Sequence, residues 1–309
     1  MGEAAVPHLV AAGHEVALAH SGRHEAFAEL EHLHGPRGEL LARDGPAEHW
    51  RPEAVIDTFA GGATAAKARE LSGLAERAGV GQIVAVSSMD VYLQAGEAGV
   101  DGHALAELTT GTLPIGEDAK LREPGSVERS EVHDNVAMEA ALGGAERLTI
   151  LRPGAIYGHH PRAAVAREWF LVGRVARGER RLGMPMGGNQ IFHRVALDRV
   201  AGAIAAAIER APAGAWACNV GDPSVLTYGA LARLVAEQLG WEWELVPADH
   251  SDDEHDHPWN VRHPVLADVR RLEARLGVLE PDPIAATIAQ IEWLWGNRER
   301  LETLTASLP

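Results

Sequence analysis

The sequence predicts an α/β protein built on a doubly wound parallel sheet, because short strand-like runs alternate with longer runs of helical periodicity. Helices are predicted over 64–79, which ends at the helix-terminating residue Gly79, and over 133–146. Strands separated by helices in this way usually pair in parallel through crossover connections. The alternative is another layered α/β fold. The predicted strands of this region cover residues 14–20, 54–60, 82–87 and 148–152.

The pattern changes after residue 158, and we divide the chain into two predicted domains, 1–158 and 159–309. In the second domain, a short apolar segment at 215–220 lies between runs of helical spacing. We interpret this half as a smaller lobe, some of whose segments return to the sheet of the first domain. Its predicted helices cover residues 196–210, 228–239 and 283–301.

Charge and cysteine content exclude several kinds of partner and site. The chain has 28 Lys and Arg against 44 Asp and Glu, and its formal net charge of -16 disfavours binding to nucleic acid. The lone Cys218 cannot form an internal disulfide or a multi-thiolate metal site, and it fits a reducing compartment. The sequence has no signal-peptide pattern and no apolar run of the roughly 18 residues that a membrane span requires. We therefore expect a cytoplasmic protein that binds neither nucleic acid nor membrane.

Five segments carry motifs that occur together in one known family. Residues 83–92 (IVAVSSMDVY) resemble a strand with an active-site serine, and 149–158 (TILRPGAIYG) resemble a Leu-Arg-Pro-x-x-x-Tyr-Gly segment. Residues 193–204 contain Asp-x-Val-Ala, and 219–222 (NVGD) form an Asn-Val-Gly turn before the helical run 226–239. In this order the segments resemble the extended short-chain dehydrogenase/reductases, the NAD-dependent epimerase/dehydratase family.

The resemblance implies a Rossmann-type sheet that binds a dinucleotide in residues 1–158, and a substrate-binding lobe in 159–309. It extends to about residue 295 and begins at Gly2, which matches the third glycine of the family's Gly-x-x-Gly-x-x-Gly turn. Glycines in that turn let the backbone approach a pyrophosphate at a helix N-terminus. The family's first strand and first two glycines have no counterpart here. Either the assigned start at Met1 is too late, or the chain begins there with a remodelled sheet.

The resemblance also indicates the cofactor. NAD-preferring members usually place an acid after the second strand, to bind the ribose 2′-hydroxyl, whereas this sequence has Ser21 and Arg23 there. A guanidinium suits the 2′-phosphate of NADP, so we expect NADP in preference to NAD. The other residues for which the resemblance implies cofactor contacts are Thr58, Phe59, Ser87, Asn135, Pro153, Gly154 and Tyr157.

Hydride transfer at a carbonyl needs a group that donates or accepts a proton at the oxygen. The family uses a tyrosine assisted by a lysine for this step, together with a serine that hydrogen-bonds the substrate oxygen. Ser88 is the preferred candidate for that serine, and Ser87 is the alternative. The tyrosine and the lysine have no counterpart at the matching positions.

The helix that should carry the missing pair corresponds to residues 131–142. The alignment places Asn135 at the lysine position, and it places either Glu131 or His133 at the tyrosine position. Histidine has a reference pKa of about 6.5, so His133 could act as a general acid without help from a lysine. Tyr92 is a second candidate proton donor. The alternatives are a surface role for His133 and a packing or substrate-lining role for Tyr92.

An acidic, histidine-rich segment at 249–257 (DHSDDEHDH) contains potential metal ligands. Its spacing matches neither a helix nor a strand face, which favours a solvated acidic loop or a substrate lid. We therefore predict no metal site.

These observations predict an NADP-dependent oxidoreductase or epimerase that acts on a nucleotide sugar or on a small carbonyl or hydroxyl metabolite. The missing tyrosine and lysine favour two other functions on the same fold. One is a catalytically silent member that binds a dinucleotide or metabolite as a sensor or partner subunit. The other is a non-redox lyase or isomerase. A homodimer is a possible assembly.

Overall fold

The computed structural model describes the chain apart from residues 23–25, 60, 95–111, 127–129, 160–166, 249–258, 260, 262, 279 and 306–309. Helices and strands alternate through the first half of the protein, as predicted. The described strands are β1 Ala17–His20, β2 Glu31–His34, β3 Ala54–Asp57, β4 Gln82–Val86, β5 Arg147–Pro153, β6 Ala155–Tyr157, β7 Arg181–Pro185, β8 Arg194–Ala196, β9 Gly214–Val220 and β10 Glu244–Ala248. The described helices are α1 Gly2–Ala11, α2 Arg37–Leu40, α3 Pro46–Trp50, α4 Ala65–Ala78, α5 Asn135–Ala140, α6 Trp169–Ala176, α7 Leu197–Arg210, α8 Tyr228–Leu239, α9 Arg270–Leu276, α10 Pro283–Gly296 and α11 Arg298–Thr305.

The main sheet is parallel and has the strand order β3-β4-β5-β9. Every residue of β4 is buried. Ile83 and Ala85 pack in one hydrophobic cluster, whereas Val84 and Val86 pack in another on the opposite face. A strand that is covered on both faces reads as a continuous apolar run, which is why residues 82–87 were recognisable as a strand. The doubly wound sheet predicted from the sequence is confirmed.

The strands nearest the N-terminus form a separate parallel pair. Within the described part of the chain, β1 pairs with β2 alone, and β3 pairs with β4 alone. The described strands β1 to β5 and β9 therefore lie in two separate parallel sheets. Helix α1 packs against α7, and its buried Ala5 lies in the same cluster as Val84 and Val86.

Helix α4 shows how local sequence determines its ends. The Thr64 side chain accepts a hydrogen bond from the Lys67 N–H at the N-terminus. Gly79 ends the helix in the left-handed conformation at φ 68°, which a residue without Cβ adopts at little cost. The buried Ala68, Leu71 and Ala75 face the main sheet. The predicted helix over 64–79 is thus confirmed.

The second half of the chain contributes to the main sheet as well as to its own core. Strand β9 pairs with β5, as expected for a segment that returns to the sheet. A separate large cluster joins the apolar faces of α6, α8 and α10 to residues just after β4. The domain boundary at residue 158 stays a prediction.

Several elements differ from the sequence prediction, which also lacked β6, β7, β8, β10, α2, α3, α6 and α9. The helix predicted over 133–146 spans only Asn135–Ala140, and the chain after it includes Gly144 in the left-handed conformation at φ 81°, which a helix does not accommodate. The helix predicted over 283–301 is divided at Asn297 into α10 and α11. Strand β2 was missed because two of its four residues are histidines. No described helix combines the length and the apolar composition that crossing a membrane requires.

Candidate functional site

The main candidate site lies where β4 and β5 end, at the carboxyl edge of the parallel sheet. Ligands bind at this edge in open α/β sheets, because loops from successive strands meet there. Ser88 follows β4, Gly154 follows β5, and His133 precedes α5, so three separate parts of the sequence contribute to one cavity. The residues that line the cavity are Ser88, Met89, Asp90, His133, Pro153, Gly154, Ala155, Arg167, Phe192, His193 and Val265.

Ser88 lies just after the end of β4, and its side chain is half-buried. Its Oγ accepts a hydrogen bond of 3.2 Å from the Asp90 N–H and so caps the short 3₁₀ turn Met89–Val91. A hydroxyl that accepts one bond can still donate its proton. Ser88 can therefore donate a hydrogen bond to an oxygen in the cavity, as the resemblance implies.

His133 faces the same cavity and is 51% exposed. The Ala63 N–H donates to its Nδ1 over 3.2 Å, which leaves the proton of the neutral ring on Nε2. This contact depends on Gly62, at φ 103°, because an added Cβ would lie 2.1 Å from the carbonyl oxygen of Val132. Nε2 lies 3.8 Å from Oδ2 of Asp90. The Ala63 amide opposes protonation of Nδ1, and the Asp90 carboxylate stabilises the imidazolium.

Asp90 is the principal site residue that the sequence reasoning missed. Burial opposes its ionisation, but hydrogen bonds from His133 and Asn135 and the charge of Arg122 outweigh this effect and lower the pKa of Asp90. Asn135 Nδ2 donates to Asp90 Oδ1 over 2.8 Å. The site therefore holds a buried carboxylate beside a histidine at neutral pH. Its position two residues after Ser88, in the same strand-end segment, was the available signal.

Asn135, which the sequence resemblance aligns with the family's lysine, has only 2% of its surface exposed. Its amide nitrogen bonds Asp90 and lies 3.1 Å from His133 Nε2. An uncharged amide cannot lower the pKa of a neighbouring proton donor through its charge. Asn135 therefore orients Asp90 from behind the cavity, and it is not among the residues that line it.

Tyr92 lies behind the cavity in a buried polar network and is fully buried. Its hydroxyl donates to Asn219 Oδ1 over 2.6 Å and accepts from Arg152 Nη1 over 3.0 Å. Burial raises the pKa of Tyr92 to about 12. Its hydroxyl is thus held by structural partners, and the structure does not bring this candidate proton donor to the cavity surface.

Ser87 belongs to the same network. Its hydroxyl donates to Glu139 Oε1 over 2.5 Å. Glu139 also receives two hydrogen bonds from Arg152, of 3.0 and 2.7 Å, and both side chains of this ion pair are only 6% exposed. Ser87 therefore joins the end of β4 to α5 and β5, and Ser88 is the serine that faces the cavity.

The segment after β5 provides the cavity wall. Pro153 and Gly154, both predicted to contact the cofactor, line the cavity. A Cβ on Gly154 would lie 2.4 Å from the carbonyl oxygen of His193, so only glycine allows β6 to approach β8 here. Tyr157, by contrast, lies outside the lining. Its hydroxyl donates to Asp222 Oδ2 over 2.8 Å, and burial together with that carboxylate raises its pKa.

His193 and Arg167 line the cavity and were not predicted. The Ala267 N–H donates to His193 Nδ1 over 2.8 Å, and Nε2 lies 2.9 Å from the Asp222 carbonyl oxygen. Burial lowers the pKa of His193. These contacts hold a neutral ring in one tautomer, so His193 forms part of the wall. Arg167 stacks over Phe192 at 4.4 Å and brings a positive charge to the cavity.

Comparison with known proteins identifies the fold. No protein-family model matches the sequence, and no curated protein matches it. MoeE5 in complex with UDP-glucose and NAD is 20% identical, with 97% of this chain and 96% of that chain covered and a TM-score of 0.65. UDP-glucose 4-epimerase from Thermotoga maritima is 17% identical, with 97% and 96% covered and a TM-score of 0.67. DesIV, the dTDP-glucose 4,6-dehydratase from Streptomyces venezuelae, is 19% identical, with 98% and 96% covered and a TM-score of 0.66.

The protein has the same fold as these three structures. The Rossmann-type architecture that the sequence resemblance implied is confirmed over nearly the whole length of the protein. Identities of 20% or less establish the architecture alone.

A second group of predicted residues lies along the same edge of this Rossmann-type fold, at the ends of β1 and β3. Gly2 begins α1 and lies beside Thr58, which a Cβ on Gly2 would meet at 3.9 Å. The first turn of a helix presents N–H groups and a partial positive charge, so this position suits a phosphate. Phe59 has φ 47° and is buried, with Arg37 over its ring at 5.3 Å.

The residues that follow β1 are predicted to determine whether the protein prefers NADP or NAD. Ser21 is exposed directly after the strand. Arg23 falls outside the described residues, as does the acidic segment 249–257, so both interpretations stay predictions.

Proposed function

We propose that this protein is an NAD(P)-dependent enzyme of the extended short-chain dehydrogenase/reductase type that acts on a nucleotide sugar. The observation that carries the proposal is the convergence of Ser88 and His133 on one cavity at the carboxyl edge of the sheet. MoeE5 binds UDP-glucose and NAD, and the Thermotoga maritima enzyme binds UDP-glucose. Their similarity in fold supports a substrate of the same class, as does the positive charge of Arg167 at the cavity.

The residues present fit a dinucleotide. The N-terminus of α1 at Gly2 suits a pyrophosphate, and the ends of β1 and β3 lie along the edge that leads from there. The nicotinamide, when bound, supplies or accepts a hydride. Pro153 and Gly154 would border it, because they form the wall next to Ser88. The other contacts that the resemblance implies, from Thr58 and Phe59, belong to the same edge.

In the proposed mechanism, Ser88 donates a hydrogen bond to the reacting oxygen of the substrate and orients it. During carbonyl reduction the doubly protonated ring of His133 donates its Nε2 proton to that oxygen and keeps its Nδ1 proton, so the Ala63 N–H that otherwise donates to Nδ1 must turn away. In the reverse direction Nε2 accepts the proton. Asp90, 3.8 Å from Nε2, stabilises the charged ring by its own negative charge. Asn135 holds Asp90 in place. His133 and Asp90 would thus provide the proton transfer for which the family uses a tyrosine and a lysine.

One observation favours the alternative of a catalytically silent binding protein. The residues that line the cavity include neither a tyrosine nor a lysine. Product analysis by NMR distinguishes the two functions, with NAD(P) and a panel of UDP- and dTDP-sugars as substrates. We expect a new sugar product with the wild-type protein and a loss of about 100-fold or more in Ser88→Ala, because its hydroxyl orients the reacting oxygen. Dinucleotide binding without turnover of any sugar would favour the silent protein, and absence of dinucleotide binding would contradict the proposal.

We further expect this protein to bind NADP more tightly than NAD, since no acid stands directly at the end of β1 and Arg23 lies close by in the sequence. Hydrogen bonds to charged groups contribute about 1.5–3 kcal/mol, so Arg23→Met should weaken NADP binding by about tenfold or more and leave NAD binding unchanged. Calorimetric titration with both nucleotides measures this difference. Arg69→Met, which removes an exposed arginine from α4, is the control. Tighter binding of NAD by the wild-type protein would refute the preference.

A further inference from the structure

Three histidines lie together at the carboxyl ends of β1 and β2. The register of this parallel pair sets His20 opposite His34. His32 and His34 are two residues apart in β2 and therefore point to the same face of the sheet, which is also the face of His20. One nitrogen from each of the three rings lies within 4.8 Å of the others. The ring centroids are separated by 5.0, 4.8 and 5.6 Å.

The hydrogen bonds of His32 direct one of its nitrogens into this cluster. Its Nε2 lies 3.1 Å from the carbonyl oxygen of Phe27, which can only accept, so Nε2 carries the ring proton. Its Nδ1 then has a free electron pair and lies 2.7 Å from His20 Nε2. A ligating histidine typically donates its other N–H to a carbonyl in this way, because that bond sets the tautomer and the ring orientation.

We propose that His20, His32 and His34 form a binding site for a divalent transition metal ion of the zinc type. Three neutral imidazoles are ligands that Zn²⁺, Ni²⁺ and Cu²⁺ favour. Zn–N distances of about 2.0–2.1 Å place tetrahedral ligand nitrogens roughly 3.4 Å apart, so small side-chain rotations bring the three rings to an ion. The ion replaces the proton shared between His20 and His32.

The cluster is accessible from solvent on one side. His20 and His32 are half-buried, whereas His34 is exposed, so an ion can enter from the solvent side. Three protein ligands leave one tetrahedral position for water or for an oxygen of another molecule. Binding through His20 Nε2 moves its proton to Nδ1, and the Gly22 N–H that now donates to Nδ1 over 3.1 Å must turn away. No local sequence motif marks this site, because the strand pairing brings together residues that lie up to fourteen positions apart.

The site is tested with the full-length chain, prepared without an affinity tag and stripped of metal by a chelator. Titration with Zn²⁺ alone should show one ion per chain, and Co²⁺ should give the visible absorption bands of a tetrahedral complex. Loss of a supporting contact near a metal typically lowers affinity by about 10- to 100-fold, so loss of a ligand in His34→Gln should cost at least about 100-fold. His32→Gln should lower the affinity for Zn²⁺ by a similar factor.

The matched control is His8→Gln, which removes an exposed histidine from α1 and should leave Zn²⁺ affinity unchanged. Because His34 is exposed, His34→Gln should melt at the wild-type temperature without metal, and it should lose only the rise in melting temperature that Zn²⁺ causes. Failure of the wild-type chain to bind a stoichiometric ion would overturn the proposal. So would equal Zn²⁺ affinities in His34→Gln and His8→Gln. No nucleotide is present in this experiment, so its outcome is independent of the proposed enzymatic function.

Discussion

Replacement of His133 by glutamine should slow carbonyl reduction by about 100- to 10,000-fold, the usual contribution of a general acid. Glutamine can still form hydrogen bonds at this position, but it has no proton that it can transfer. His133 is 51% exposed, so the substitution should leave the fold intact. Single-turnover measurements of reduced nucleotide consumption give the rate of the chemical step.

The pH dependence provides a second readout of the same residue. Only protonated His133 acts as the acid, so the wild-type rate should fall as the pH rises through the neutral range and the ring loses its proton. The pKa of Asp90 is lowered, so its carboxylate stays charged throughout this range and does not contribute to the profile. The profile should be flat in His133→Gln. His8→Gln serves as the control. A change of less than about threefold in rate, with the pH profile unmoved, would leave His133 as a surface residue.

Removal of Arg152 should destabilise the protein by about 3–5 kcal/mol, the range typical of a buried ion pair that loses one partner. In Arg152→Met, the Glu139 carboxylate would remain buried after losing the hydrogen bonds of 3.0 and 2.7 Å from the guanidinium. Tyr92 would lose a partner as well. Equilibrium unfolding in urea measures the free energy directly.

Arg177→Met is the matched control, because Arg177 pairs with Glu179 and Glu302 at the surface, and its side chain is 43% exposed. Surface pairs of this kind contribute about 0–1 kcal/mol. The double variant Arg152→Met with Glu139→Met should recover part of the loss, since it no longer buries an unpaired charge. If the free energies of unfolding of Arg152→Met and Arg177→Met agree within about 1 kcal/mol, the buried network is not a major source of stability.

Polar residues that line the cavity and polar residues of the buried network look alike in the sequence. Ser87 and Ser88 are adjacent, yet the first bonds Glu139 inside the protein and the second faces the cavity. Tyr92 and His133 were both candidate proton donors. The structure buries the hydroxyl of Tyr92 between Asn219 and Arg152 and brings His133 to the cavity. Which side of the strand end a side chain occupies depends on the packing of α5 against β4 and β5.

The residue pattern predicted the fold class correctly and indicated the segments in which a site could lie. Continuous apolar runs predict strands buried on both faces, as in β4, and helical periodicity with a glycine end predicts α4, because these patterns report burial of the segment itself. The segments around Ser88 and Gly154 could be assigned to strand ends for the same reason. Side-chain contacts between distant segments, in contrast, are visible only in the tertiary structure. Asp90 joins His133 across 43 positions, and the three histidines of β1 and β2 meet through strand register. Such contacts depend on the relative placement of elements, which local periodicity does not specify.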